Sequence, residues 1–137
     1  MSQSFELHPQ LAADTLFVGR LSLCRVLLMN ESRYPWLILV PERAEIREIY
    51  ELSSSERQQL WEESDLVSRK LMQLYQADKL NMAALGNMVP QLHLHHIARF
   101  KTDPAWPAPV WGKFAAEPYS PSLAEQRIQQ IQQALQL

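Results

Sequence analysis

Glycine is scarce. Gly19, Gly86 and Gly112 are the three in 137 residues, too dispersed to build a P-loop or the G-x-G-x-x-G turn that cradles a dinucleotide. Cysteine is scarcer still: Cys24 stands alone, which excludes an internal disulfide and a cysteine-rich zinc site. It lies in an apolar run and is expected to pack as a small hydrophobe. Positive charge is not in excess, since 13 Lys and Arg against 15 Asp and Glu leave a net charge of −2. No global basic field therefore recruits nucleic acid, although a small local phosphate site stays open. No run approaches the roughly 20 apolar residues of a membrane helix. The opening Met1-Ser2-Gln3-Ser4-Phe5-Glu6 lacks the basic and apolar regions of a secretory signal. These absences leave a cytoplasmic domain, away from the membrane, as the expectation.

What is present suits a packed domain: 47% hydrophobic, 20% charged and 9% aromatic residues. A chain this long buries about two-thirds of its unfolded surface, so it needs no disulfide or metal staple. Residues 7–14 form a short opening in which Pro9 suits a first turn. Residues 16–21 and 23–29 read as strands, the second rich enough in aliphatics to be buried. The polar Asn30-Glu31-Ser32-Arg33 is a turn signal, and Trp36-Leu37-Ile38-Leu39-Val40 is an apolar run stopped by Pro41. Two such strands joined by a short polar loop predict an antiparallel pairing.

Ser53 and Glu56 fit a capping box. Behind them Leu60, Ser64, Val67, Leu71 and Leu74 recur at helical spacing, predicting an amphipathic helix over 54–76 that covers one sheet face. Residues 81–85 read as a strand, 86–90 as a turn and 91–100 as a long strand. Five of the nine prolines and two of the four tryptophans fall in 101–121, which no regular helix or inner strand accommodates. Residues 122–137 carry Leu123, Ile128, Ile131 and Leu135 on one helical side. The class is α+β, with a mostly antiparallel five-stranded sheet, a long covering helix and a C-terminal helix. One domain over 1–137 is expected, with its core at about 15–101 and the Pro/Trp-rich segment and last helix over 102–137.

Three of the four histidines stand together in Gln91-Leu92-His93-Leu94-His95-His96-Ile97-Ala98-Arg99-Phe100. Strand alternation puts Gln91, His93, His95, Ile97 and Arg99 on one face, and Leu92, Leu94, His96, Ala98 and Phe100 on the other. Same-face neighbours have backbones about 6.6–6.8 Å apart, close enough for two imidazoles to act on one small anion. Phosphate chemistry fits this pair best, one neutral imidazole being the nucleophile and the other a proton donor or phosphate ligand. A metal pair is the alternative, but it needs a third ligand, and neither Gln91 nor Arg99 is a good one. Simple hydrogen-bonded structural histidines are a further alternative. His96 reads as a core or rim histidine, and His8 has no motif around it.

The stretch resembles the signature of the histidine triad (HIT) superfamily of nucleotide hydrolases and transferases, His-φ-His-φ-His-φ-φ, with φ apolar. The resemblance extends over about residues 15–101, through Leu28-Met29-Asn30, Trp36-Leu37-Ile38-Leu39-Val40-Pro41, Leu52-Ser53 and Asn81…Gly86-Asn87. It departs from the signature at Gln91, where the first histidine belongs, and at His96, where an apolar residue is usual. The resemblance implies a purine nucleotide substrate cleaved at the α-phosphate, at a phosphoanhydride or phosphoramidate bond. His93 would be the covalent nucleophile and His95 would hold phosphate oxygen and assist the leaving group. Gln91 would orient His93 by accepting its N–H on the side-chain amide, a contact that cannot titrate. Asn30 matches the position that reads ribose hydroxyls, although it also begins a turn. Asn81 and Asn87 match phosphate-contacting positions, although Asn87 after Gly86 also suits a turn. Arg99 would neutralise phosphate charge or sit solvated at a strand end. No metal is required for attack through histidine, with magnesium able to accompany a polyphosphate substrate. The family generally forms homodimers that join two such sheets, which makes Trp106 and Trp111 candidates for partner packing or for anchoring their own segment. A nucleotide-binding or sensing module that has lost turnover through Gln91 is the alternative.

Overall fold

A computed structural model describes residues 4–137; Met1, Ser2 and Gln3, part of the signal and domain readings above, lie outside the described residues. The elements run α1 (Pro9–Asp14), β1 (Thr15–Arg20), β2 (Cys24–Met29), β3 (Trp36–Pro41), α2 (Ser54–Tyr75), β4 (Lys79–Ala83), β5 (Leu94–Arg99) and α3 (Pro121–Leu135). The sheet order is β1-β2-β3-β5-β4, and every neighbouring pair is antiparallel. The α+β reading and the five strands hold. Their bounds shift: β5 begins at Leu94 rather than Gln91, because the preceding Gly86-to-Pro90 turn carries on through residue 93, and β4 starts two residues earlier than expected.

Alternation along the central strands explains why both sheet faces are covered. Val26, Leu28, Leu37, Leu39, Leu94 and Ala98 point to one face and pack against Leu60, Val67 and Leu71 of α2 and Ile131 and Leu135 of α3. Trp36, Ile38, Val40 and Ile97 point to the other, where Leu11, Val89, Ala105 and Val110 cover them. That second cover comes from α1, the loop between β4 and β5, and the proline-rich segment, which therefore packs as part of the core. Truncating a buried leucine in either layer to alanine costs about 2–5 kcal/mol.

The capping box forms as expected, with Ser53 Oγ accepting from Glu56 N–H and Glu56 Oε1 accepting from Ser53 N–H at 2.8 Å. Leu74 and Leu123, expected on apolar faces, are half-exposed at 38% and 54%. Leu74 lies at the α2–α3 seam rather than over the sheet. Glu63 is a buried carboxylate that accepts from the N–H groups of Leu23 and Cys24 at 2.8 and 2.9 Å. Cys24 is fully buried, and burial, then the nearby Glu63, pushes its thiol pKa far up. The last helix is tied to the sheet edge by Gln132 Nε2 donating to Val18 carbonyl at 2.9 Å. The C-terminal Leu137 packs closely on β1, where a Cβ on Gly19 would lie 2.8 Å from Leu137 Cδ1.

Candidate active site

A cleft of about 450 Å³ opens on the sheet face away from α2. Its walls are largely apolar: Leu11, Met29, Ile38, Leu85, Met88 and Val89, with the rings of Trp36 and Trp111. His93 and His95 line the same space, with Asp14 and Asn87 the other polar side chains. None of the lining residues is Lys or Arg.

His93 sits one residue before β5, and His95 is the second residue of that strand. Their ring centroids are 4.9 Å apart, with planes at 71°, closer than their backbones. Each ring has one nitrogen already committed, and the partner's chemistry fixes the tautomer. His93 Nδ1 lies 2.7 Å from the backbone carbonyl of Gln91. A carbonyl only accepts, so Nδ1 carries a proton, and in the neutral ring Nε2 keeps its lone pair. His95 Nδ1 lies 3.0 Å from Trp36 Nε1. An indole N–H only donates, so Nδ1 is bare and Nε2 carries the proton. The cleft therefore holds a nucleophilic nitrogen beside a hydrogen-bond donor. Burial, with the neighbouring His93 and His96, lowers the His95 pKa to about 3, so the ring is uncharged at neutral pH. Removing either imidazole would leave the other without its complement.

The HIT domain model matches residues 10–102. This chain belongs to the HIT family. A histidine triad protein from Marinobacter aquaeolei VT8 is 51% identical over 98% of each chain, with a TM-score of 0.96. One from Bradyrhizobium japonicum is 41% identical, covering 97% of this chain and 99% of the other at a TM-score of 0.95. One from Sinorhizobium meliloti 1021 is 44% identical, covering 95% and 96% at 0.93. No curated protein matches the chain. HIT membership suggests nucleotide binding with hydrolase or transferase activity.

Within this HIT domain the remaining expected site residues divide. Asn87 stands at the cleft. Gln91 does not orient His93 through its side chain. That amide is spent on the N-terminal segment, Oε1 accepting from His8 N–H and Nε2 donating to Glu6 carbonyl, both at 2.9 Å. The backbone carbonyl of Gln91 holds His93 instead. His8, which had no motif, thus meets the triad loop through its backbone, and its ring Nδ1 accepts from Gln10 N–H at the start of α1. Because Gln91 staples the segment that carries Leu11 to the cleft wall, Gln91→Ala is expected to raise KM about three- to tenfold. The change in kcat should be under twofold, since the lost contact shapes binding rather than the reacting atoms. Steady-state kinetics over a full substrate range checks this, and Gln91→His should bring no gain.

Asn30, Asn81 and Arg99 find partners within the fold. Asn30 Oδ1 accepts from Tyr119 N–H at 2.9 Å, beside Glu31, which accepts from Glu117 N–H. Both therefore clamp the segment leading to α3, and Asn30 does not line the cleft. Arg99 is 1% exposed. It forms a bidentate pair with Asp103 at 2.8 and 3.0 Å and donates to Asn81 Oδ1 and Ala108 carbonyl, each at 2.8 Å. The guanidinium and the Asn81 amide oxygen are thus engaged inside the fold, between the sheet and the proline-rich segment. Trp106 lies against the same guanidinium, whereas Trp111 packs edge-on to His95, with ring centroids 5.2 Å apart. His96 is fully buried on the α2 face. Its Nδ1–H donates to Leu94 carbonyl, its Nε2 accepts from Ser64 hydroxyl at 2.8 Å, and burial keeps it uncharged, with a pKa of about 4.

Trp36 is the site residue that sequence reasoning missed. It reads as one member of an apolar run, yet pairing of β3 with β5 sets Trp36 opposite Ile97 and Ile38 opposite His95. The same pairing turns its ring onto the histidine face. The clue available in the sequence was a donor-only indole in a strand of otherwise pure hydrocarbon.

Proposed function

We propose that this HIT protein is a cytoplasmic nucleotide hydrolase or transferase acting at the α-phosphate of a purine nucleotide through a nucleotidyl-histidine. The observation that carries the proposal is the pair of complementary tautomers. His93 Nε2 offers a lone pair 4.9 Å, ring to ring, from an imidazole that can only donate. In the first step that lone pair forms a bond to the α-phosphorus. The phosphoanhydride P–O or phosphoramidate P–N bond breaks, and its electron pair leaves with the departing group. Nδ1–H of the resulting charged imidazole points at the Gln91 carbonyl, which stabilises the new positive charge. Water then attacks phosphorus and gives up a proton to solvent, the N–P bond breaks with its electron pair returning to His93 Nε2, and a nucleoside monophosphate is released. His95 donates Nε2–H to a phosphate oxygen in both steps.

The apolar and aromatic walls suit a purine ring, and Asn87 at the cleft is the polar side chain retained for phosphate. Among the described residues no group of three or more His, Cys, Asp or Glu side chains is placed to hold an ion. Attack through histidine needs none, and magnesium would enter with a polyphosphate substrate. A homodimer is part of the proposal: β4 leaves one sheet edge open, with Met82, Leu85 and Met88 exposed beside it. No helix of the described chain is long and apolar enough to cross a membrane.

Purified protein incubated with dinucleoside polyphosphates and with nucleoside phosphoramidates tests the proposal. Release of nucleoside monophosphate from at least one class is expected, and phosphoramidate cleavage should survive chelator unchanged. Micromolar nucleotide binding without turnover on any candidate would make the chain a binding module instead.

A further inference from the structure

The family signature accounts for His93 and His95, but not for what holds His95 in its tautomer. That contact comes from β3. Trp36 is 6% exposed, its indole N–H reaches His95 Nδ1 at 3.0 Å, and the two rings meet at 60° with centroids 5.7 Å apart. Trp111 packs edge-on against both rings, at 6.0 Å from Trp36 and 5.2 Å from His95. Rotation of either ring would break these contacts.

We infer that Trp36 is a positioning residue whose indole N–H fixes His95 as the uncharged Nε2–H tautomer, so that His95 meets phosphate as a hydrogen-bond donor and is not the proton source. The inference rests on the proposed function, which it deepens. An indole N–H cannot accept. A proton arriving at His95 Nδ1 would face that N–H at hydrogen-bond distance, so protonation there requires the contact to break. The groups facing His95 do not offset this. His93 precedes it, His96 adjoins it in the strand, and Asp14 stands at the end of α1 on the cleft wall. From β3 the neighbours are Trp36 and Ile38, from β4 Ala83, and from the proline-rich segment Trp111, none of which titrates as an acid or base near neutrality. Burial acts in the same direction as Trp36.

The chemical consequence concerns the leaving group. With His95 confined to donating a hydrogen bond, the departing group takes its electron pair and obtains its proton from solvent. Turnover should then fall as leaving-group basicity rises, favouring anhydrides over unactivated amines.

The test begins without substrate, so it stands apart from whether the enzyme reading holds. Nitrogen-15 spectra of the histidine rings should show His95 Nδ1 bare and Nε2 protonated, unchanged between about pH 5 and 8, the range in which an ordinary histidine titrates. A through-hydrogen-bond coupling between Trp36 Nε1 and His95 Nδ1 should be present. Trp36→Phe keeps an aromatic ring but removes the donor. Its His95 nitrogens should move to averaged positions, and kcat on an activated phosphoramidate should fall roughly tenfold through lost alignment. A bare Nε2 in the native protein, or a charged ring at pH 6, would overturn the inference. So would a Trp36→Phe protein that keeps the native His95 spectrum. If that variant does not fold, the native coupling and tautomer decide the matter alone.

Discussion

His93→Ala should lose nucleotidyl transfer by roughly ten-thousandfold, about 5.5 kcal/mol, because the covalent step has no other nucleophile. Ground-state affinity for a nucleoside monophosphate should stay within about threefold, since the apolar walls and the His95 donor remain. The split follows from the placement of the residues. His93 lines the cleft, held by a backbone carbonyl, while the Trp36, Trp111 and Met29 surfaces that would receive a base belong to other parts of the chain. Pre-steady-state turnover and equilibrium titration of the same preparation measure both quantities. Turnover at native rates would show that His95 or water attacks directly.

The second large effect concerns stability. Arg99→Met should cost about 3–5 kcal/mol, the range for removing one partner of a buried ion pair. On a domain of this size that lowers Tm by on the order of 10–20 °C. Arg99 and Asp103 are both nearly inaccessible, with side chains 2% and 3% exposed. Asp103 also accepts from the N–H groups of Phe100, Ala105 and Trp106, so the pair organises the whole start of the proline-rich segment. Burial alone would raise the Asp103 pKa; the Arg99 guanidinium and those backbone donors outweigh it and hold the carboxyl below its ordinary value. A depressed carboxylate contributes stability that is present above its unfolded pKa, about 4, and is lost as pH falls through the folded value. The gap between native protein and Arg99→Met should therefore be full at pH 7 and narrow below pH 4. Thermal melts across that range check the sign. An equal melting temperature at pH 7 would mean the pair merely breaks even.

The two predictions draw on residues that looked alike in the sequence. The two-residue period places His93, His95 and Arg99 on one face of one expected strand, although that strand begins only after His93. The period does not say what each side chain meets. His95 meets Trp36 across 59 residues of chain and Asn30 meets Tyr119 across 89, contacts set by strand order and by the path of the proline-rich segment. Gln91 illustrates the limit most clearly. Its amide was expected on the adjacent histidine, two residues away, yet it bonds to backbone at His8, 83 residues earlier. Local signals were readable where the physics is local. The capping box at Ser53, the Pro9 first turn and the buried apolar run of β3 all form as their residues dictate. Polar side chains in the middle of the chain were not readable, because a buried amide or guanidinium takes whichever donor or acceptor the tertiary fold delivers.

Covalent attachment at His93 is the central claim, and intact-protein mass spectrometry tests it most directly. Native protein mixed briefly with a turnover substrate and quenched without acid should gain the mass of one nucleotidyl group, a nucleoside monophosphate less water, lost on acid treatment as expected for an N–P bond. His95→Ala should still gain it, more slowly, and His93→Ala should not. An adduct of undiminished yield on His93→Ala, or a native enzyme that turns over at full rate with no adduct at any time, would contradict the account.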